Sequence, residues 1–114
     1  MLRTNLKHLE SDDELQKFIK ENENVMICCG RMGPMCIPVY GAMEQLEKKE
    51  EYSTIKFADV DFDIPAAYFI RSHSACRTFT GLPFTVYFKN GELTQATSSI
   101  QTKKQVANIL DEVF

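Results

Sequence analysis

The run Val25-Met26-Ile27-Cys28-Cys29 contains no polar side chain. Successive residues of a strand point to opposite faces, so an unbroken apolar run of strand length must be covered on both sides. That requirement favours a parallel sheet clad in helices, and the flanking sequence supplies them. Ser11-Asp12-Asp13-Glu14 reads as a capping box, in which the serine hydroxyl accepts from the amide three residues on and Glu14 reaches back. Leu15, Phe18 and Ile19 follow at helical spacing, and Asn22 and Asn24 end that helix. Beyond the run, Gly30 to Pro34 reads as a turn, with Pro34 suited to a first helical turn. Val39, Met43 and Leu46 then share a helical face up to Glu47-Lys48-Lys49-Glu50-Glu51. Pro38 kinks this helix unless it falls in its first turn.

The remaining segments continue the alternation. Leu6 and His8 suit a short first strand, Thr54 to Val60 a second central strand, and Ile64 to Arg71 a short helix. An irregular polar stretch, Ser72 to Thr80, precedes the strand Phe84-Thr85-Val86-Tyr87-Phe88, whose composition is β-forming. Asn90-Gly91 is a two-residue hairpin signal, so Glu92 to Thr97 returns antiparallel. A closing helix carries Val106, Ile109, Leu110 and Val113 on one face. The order β-α-β-α-β-α-β-β-α predicts an α/β domain spanning 1–114, with a mixed central sheet flanked by helices.

Composition narrows the partners. A formal charge of −3 gives no electrostatic reason to expect nucleic acid or an anionic membrane. No apolar stretch reaches membrane-spanning length, and the N-terminus lacks an apolar signal core, so the expectation is a cytoplasmic protein. Four cysteines are too few for a disulfide scaffold in a chain this size; free thiols, redox chemistry or metal binding fit a reducing compartment better.

The element order, together with Gly81-Leu82-Pro83-Phe84-Thr85-Val86-Tyr87-Phe88-Lys89-Asn90-Gly91-Glu92, resembles the thioredoxin family. The family has an apolar residue and a cis-proline there, then a strand ending in Phe-Lys-Asn-Gly. Asp59-Val60-Asp61 followed by Pro65 resembles the family's strand end and following helix. The resemblance covers nearly the whole chain and implies a thioredoxin-like fold, thiol–disulfide chemistry and no cofactor. It implies a groove formed by Gly33, Pro34, Leu82 and Pro83, where the backbone beside a cis Pro83 pairs with extended peptide. Phe84 replaces a small polar residue beside it, which makes the groove more apolar.

The family's turn reads Trp-Cys-Gly-Pro-Cys. A gapless alignment puts it on Met32-Gly33-Pro34-Met35-Cys36, so Cys36 keeps the second cysteine and Gly33 replaces the first. A one-residue shift matches Gly33-Pro34 to Gly-Pro, puts the first cysteine on Met32 and leaves Cys36 one place beyond the second. In both, the attacking cysteine is gone. The family's buried acid falls on Ile27 and the lysine beside it on Phe57, so the groups that move the resolving thiol's proton are also replaced.

A dithiol reductant attacks with an exposed low-pKa thiolate and resolves with a second thiol nearby. Here Cys36, near a helix start, is the candidate reactive group, with Cys76 or Cys29 as its substitute partner. Cys29 is set close to the turn by the family alignment, while Cys28 points to the opposite face, into the core. Cys76 lies in a segment longer than the family's, ahead of the Pro83 loop, and is expected to fold over Cys36. Three function classes follow. One is an atypical thioredoxin-like protein acting on protein thiols or extended polypeptide segments through Cys36, by monothiol or non-standard chemistry. Another is a redox-inactive binding module. The third is a soft-metal-handling protein using His73, Cys76, Cys36 and Cys29 with the thioethers of Met32 and Met35.

Overall fold

The computed structural model describes residues 2–114. In chain order its elements are β1 (Lys7–His8), α1 (Asp12–Glu21), β2 (Asn24–Gly30), α2 (Ile37–Glu47), β3 (Ile55–Asp61), α3 (Tyr68–Arg71), β4 (Phe84–Lys89), β5 (Glu92–Ser98) and α4 (Lys103–Val113). Single 3-10 turns lie at Glu50–Tyr52, Pro65–Ala67 and Ser74–Cys76. The five strands are ordered β1-β3-β2-β4-β5. β3 is parallel to both β1 and β2, whereas β4 is antiparallel to β2 and β5. The apolar run is therefore the middle strand, hydrogen-bonded on both edges and covered on both faces. The element order is the one the sequence predicts.

Alternation along β2 divides the core in two. Met26 and Cys28 point toward Val39, Tyr40, Met43 and Leu46 of α2 and Val106 and Leu110 of α4. Val25, Ile27 and Cys29 point the other way, toward Leu15 and Ile19 of α1 and Ile70 of α3. Truncating a buried Leu, Ile or Met in such a core to alanine typically costs about 2–5 kcal/mol.

The local signals act largely as read. Ser11 Oγ accepts from the Glu14 amide at 3.1 Å, but the Glu14 carboxylate accepts from Glu10 N–H at 2.8 Å, one residue before the cap. The box is thus half formed, and three acidic residues in the first turn of α1 oppose its positive end. Asn90 and Gly91 both have positive φ, 54° and 84°, as a two-residue hairpin turn requires. A complete capping box opens α4: Thr102 Oγ1 accepts from Gln105 N–H at 3.1 Å, and Gln105 Oε1 accepts from Thr102 N–H at 2.8 Å.

α2 departs from expectation in where it begins. Pro34 stays in the preceding turn, closed by Cys36 N–H and Ile37 N–H donating to Gly33 O at 3.1 and 3.0 Å. Cys36 is the N-cap, and Pro38 falls in the first helical turn, where its missing N–H breaks no intrahelical bond.

Candidate functional site

β2 ends at Gly30, and the chain then turns through Arg31–Met35 into α2. A Cβ at Gly30 would lie 2.9 Å from Cys36 Sγ, 2.9 Å from the Tyr40 hydroxyl and 3.0 Å from Pro83 Cβ. The thiol, the phenol and the proline ring therefore converge on one point that only glycine leaves open. The Leu82–Pro83 peptide bond is cis. The Tyr40 hydroxyl donates to Arg31 O at 3.1 Å, tying α2 to the end of β2. Ser99 N–H bonds to both Gly81 O and Pro83 O, at 3.1 and 3.0 Å, holding the proline loop to the chain after β5. Leu82 packs against both cores. The structure thus brings Cys36 together with Pro83 and Leu82.

The thiol lies beneath the surface of this arrangement. Cys36 is only 2% exposed, whereas Met32 is 38%, Met35 42% and Ile37 49% exposed. A side chain at Gly33 would meet no heavy atom within 4 Å, so that position is open. Met32 Sδ accepts from Arg3 N–H at 3.3 Å, which lays the N-terminal segment against the turn.

The two proposed partners of Cys36 are elsewhere. Cys76, expected over Cys36, ends a 3-10 turn and is buried in the core on the opposite face of the sheet. Its segment continues from α3, which packs on that face, and Phe79 anchors it there edge-on to Phe84 at 5.5 Å. Cys29 shares that core with Cys76; alternation along β2 turns it away from Cys36 and turns Cys28 toward it. Burial pushes the Cys29 thiol up to about 12, against the opposing field of Arg71. Burial likewise raises Cys28 well above the ordinary thiol range and raises Cys76. These three thiols stay protonated at neutral pH, and the thiol is the unreactive form. All four cysteines are free.

The strand register separates two positions that the gapless alignment sets side by side. Phe57 is paired with Met26, while Ile27 is paired with Ala58 and faces the other core. The position beside Phe57 on its own face is Met26. The one-residue shift, which counts from Met26 and matches Gly33-Pro34 to Gly-Pro, keeps the two positions on one face. Cys36 lies at the N-cap of α2.

The soft-metal set is not brought together. Among the described residues no group of three or more His, Cys, Asp and Glu is placed to hold a metal ion. His73 Nδ1 instead accepts from Ala75 N–H at 3.1 Å and caps its own 3-10 turn. No helix among the described residues is long and apolar enough to cross a membrane.

One buried charge escaped the sequence reading. Asp59 is fully buried on β3. Its carboxylate accepts from the Thr4 hydroxyl and pairs with His8 Nδ1 at 2.6 Å. Burial raises its pKa, and the bonds from Thr4 and His8 draw it partly back. It borders a cavity of about 280 Å³ with His8, Leu9 and Ile64. The partners lie 55 and 51 residues away in sequence, so no local pattern marks them.

The elements and the turn define an α/β protein whose candidate site lies where β2 meets α2, opposite a cis-proline loop. More particularly, the chain has the thioredoxin fold. It superposes on Plasmodium falciparum thioredoxin with a TM-score of 0.77 at 20% identity, covering 96% of this chain and 100% of that one. Fasciola hepatica thioredoxin gives 0.74 at 24%, covering 93% and 98%. Oxidised mitochondrial thioredoxin 3 of Saccharomyces cerevisiae gives 0.74 at 20%, covering 95% of each. Neither a protein-family model nor a curated protein sequence matches the chain.

Proposed function

We propose that this thioredoxin-fold protein binds extended polypeptide segments between the Met32–Met35 turn and the Pro83 loop, and that it is not a dithiol reductant. The observation that carries this reading is the inversion of sulfur at the turn: thioethers lie outside, and the one thiol is 2% exposed beneath them. Attack on a disulfide requires an accessible thiolate, and release of the resulting mixed disulfide requires a second thiol within reach. Cys29 and Cys76 occupy the other core. Docking asks less: an apolar rim of Met32, Met35 and Ile37, and a backbone beside Pro83 to pair with. Methionine side chains adapt to varied apolar partners because they are unbranched and polarisable.

Insulin reduction driven by dithiothreitol tests the negative half: the rate should equal that of dithiothreitol alone, and turnover like an ordinary thioredoxin's would refute it. Panning a displayed library of unstructured heptapeptides tests the positive half. Enrichment of apolar sequences, lost on Met35→Glu, is expected; equal enrichment by wild type and variant removes the turn from the binding surface.

A second reading keeps Cys36 as a lone exchanging thiol. The convergence of its Sγ and the Pro83 ring on Gly30 supports it: they lie 2.9 and 3.0 Å from the point a Gly30 Cβ would occupy. Incubation with glutathione disulfide would then yield a mixed disulfide at Cys36 without denaturant.

A further inference from the structure

We infer that Met32 and Met35 are the oxidant-responsive groups among the described residues, and that their conversion to sulfoxides turns the rim of the turn from apolar to polar. The chain has five methionines and four cysteines. Met26 and Met43 are fully buried, and the four cysteines are between 0% and 2% exposed. Met32 and Met35, at 38% and 42%, are the exposed sulfurs among the described residues, and they flank the open Gly33 in a single turn. A peroxide reaching this surface meets thioethers before it meets any thiol.

The chemistry is an oxygen-atom transfer. The thioether sulfur attacks the peroxide and forms an S–O bond as the O–O bond breaks. Sulfur loses two electrons to become the sulfoxide, and hydrogen peroxide is reduced to water. No cysteine takes part and no disulfide forms. The product is a polar, chiral side chain where a flexible apolar one stood, and dedicated reductases can return it to the thioether. Met32 has a fixed place for its new oxygen. The Arg3 N–H that now donates to its sulfur at 3.3 Å faces a stronger acceptor after oxidation. The same contact engages a sulfur lone pair beforehand, which makes Met35 the faster of the two.

The consequence for docking rests on the peptide-binding reading above, but the oxidation order does not, so the two fail separately. The probe is hydrogen peroxide added to the native chain in steps up to about two equivalents, followed by peptide mapping by mass spectrometry and thiol titration in denaturant. One added oxygen each at Met35 and Met32, in that order, is expected while all four thiols still titrate and Met26 and Met43 remain unmodified. Retention on a phenyl column should fall with the same dose dependence. Met32→Leu/Met35→Leu keeps apolar volume at exposed positions, and its retention should not respond to peroxide at those doses. Oxidation of any of the four cysteines ahead of both methionines overturns the inference, as does an unchanged loss of retention in the double leucine variant.

Discussion

Gly30→Ala tests the convergence at the turn. The added methyl would sit 2.9 Å from Cys36 Sγ, 2.9 Å from the Tyr40 hydroxyl and 3.0 Å from Pro83 Cβ. Carbon contacts are comfortable at about 3.5–4.0 Å, so each neighbour must retreat by roughly half an ångström or more. The thiol and phenol are side-chain ends, but Tyr40 is buried and bonded to Arg31 O, and the proline ring is rigid. Overpacking of this kind costs about 1–3 kcal/mol. Removing glycine from a strand returns about 0.5–1 kcal/mol of backbone entropy. The midpoints of the two ranges leave a net loss of about 1 kcal/mol. In a domain of 114 residues that lowers the melting temperature by roughly 4 °C. Urea unfolding followed by circular dichroism should show a lower midpoint with an unchanged slope. Because Cys36 Sγ is one of the three obstacles, Cys36→Ala in the Gly30→Ala background should cost less than the separate losses added, by about 0.5–1 kcal/mol. A melting temperature at or above wild type, or strict additivity, would show that the three groups do not meet at Gly30.

Two further outcomes follow from the site. Asp59 has a raised folded-state pKa, so in the window from its unfolded value up to its folded value the native protein binds the extra proton; the associated stability is complete below that window and is lost as pH rises through it. Asp59→Asn, facing Thr4, His8, Cys28 and Asp61, should remove that decline from urea midpoints measured between about pH 4 and 7, and parallel profiles for wild type and variant would assign the titration to another group. Met32→Cys/Met35→Cys rebuilds Cys-Gly-Pro-Cys: mild oxidation should remove two titratable thiols and insulin reduction should rise above wild type, whereas a bridge formed by Gly33→Cys with Cys36, and none in the double variant, would restore the alignment counted from Ile27.

The sequence by itself determined what depends on neighbours along the chain. The apolar run from Val25 to Cys29 required a two-sided sheet, Ser11 capped α1, and Asn90-Gly91 set the β4–β5 turn, because each acts over a few residues whose geometry is fixed by backbone sterics and hydrogen bonding. That the turn from Arg31 to Met35 carries no cysteine was legible too. Alternation separated Cys28 from Cys29, but it carries no information about which face α2 would cover. That was decided by the crossover from β2 to α2 and by the register that pairs Met26 with Phe57, both set by packing between distant segments. The same holds for Cys76, whose segment followed α3 and Phe79 onto the far side of the sheet. It holds for Asp59, whose partners on Thr4 and His8 exist only once β1 lies beside β3. Sequence spacing names the sulfur atoms near the turn; burial decides which of them meet solvent, and only the folded chain places Met32 and Met35 outside and Cys36 within.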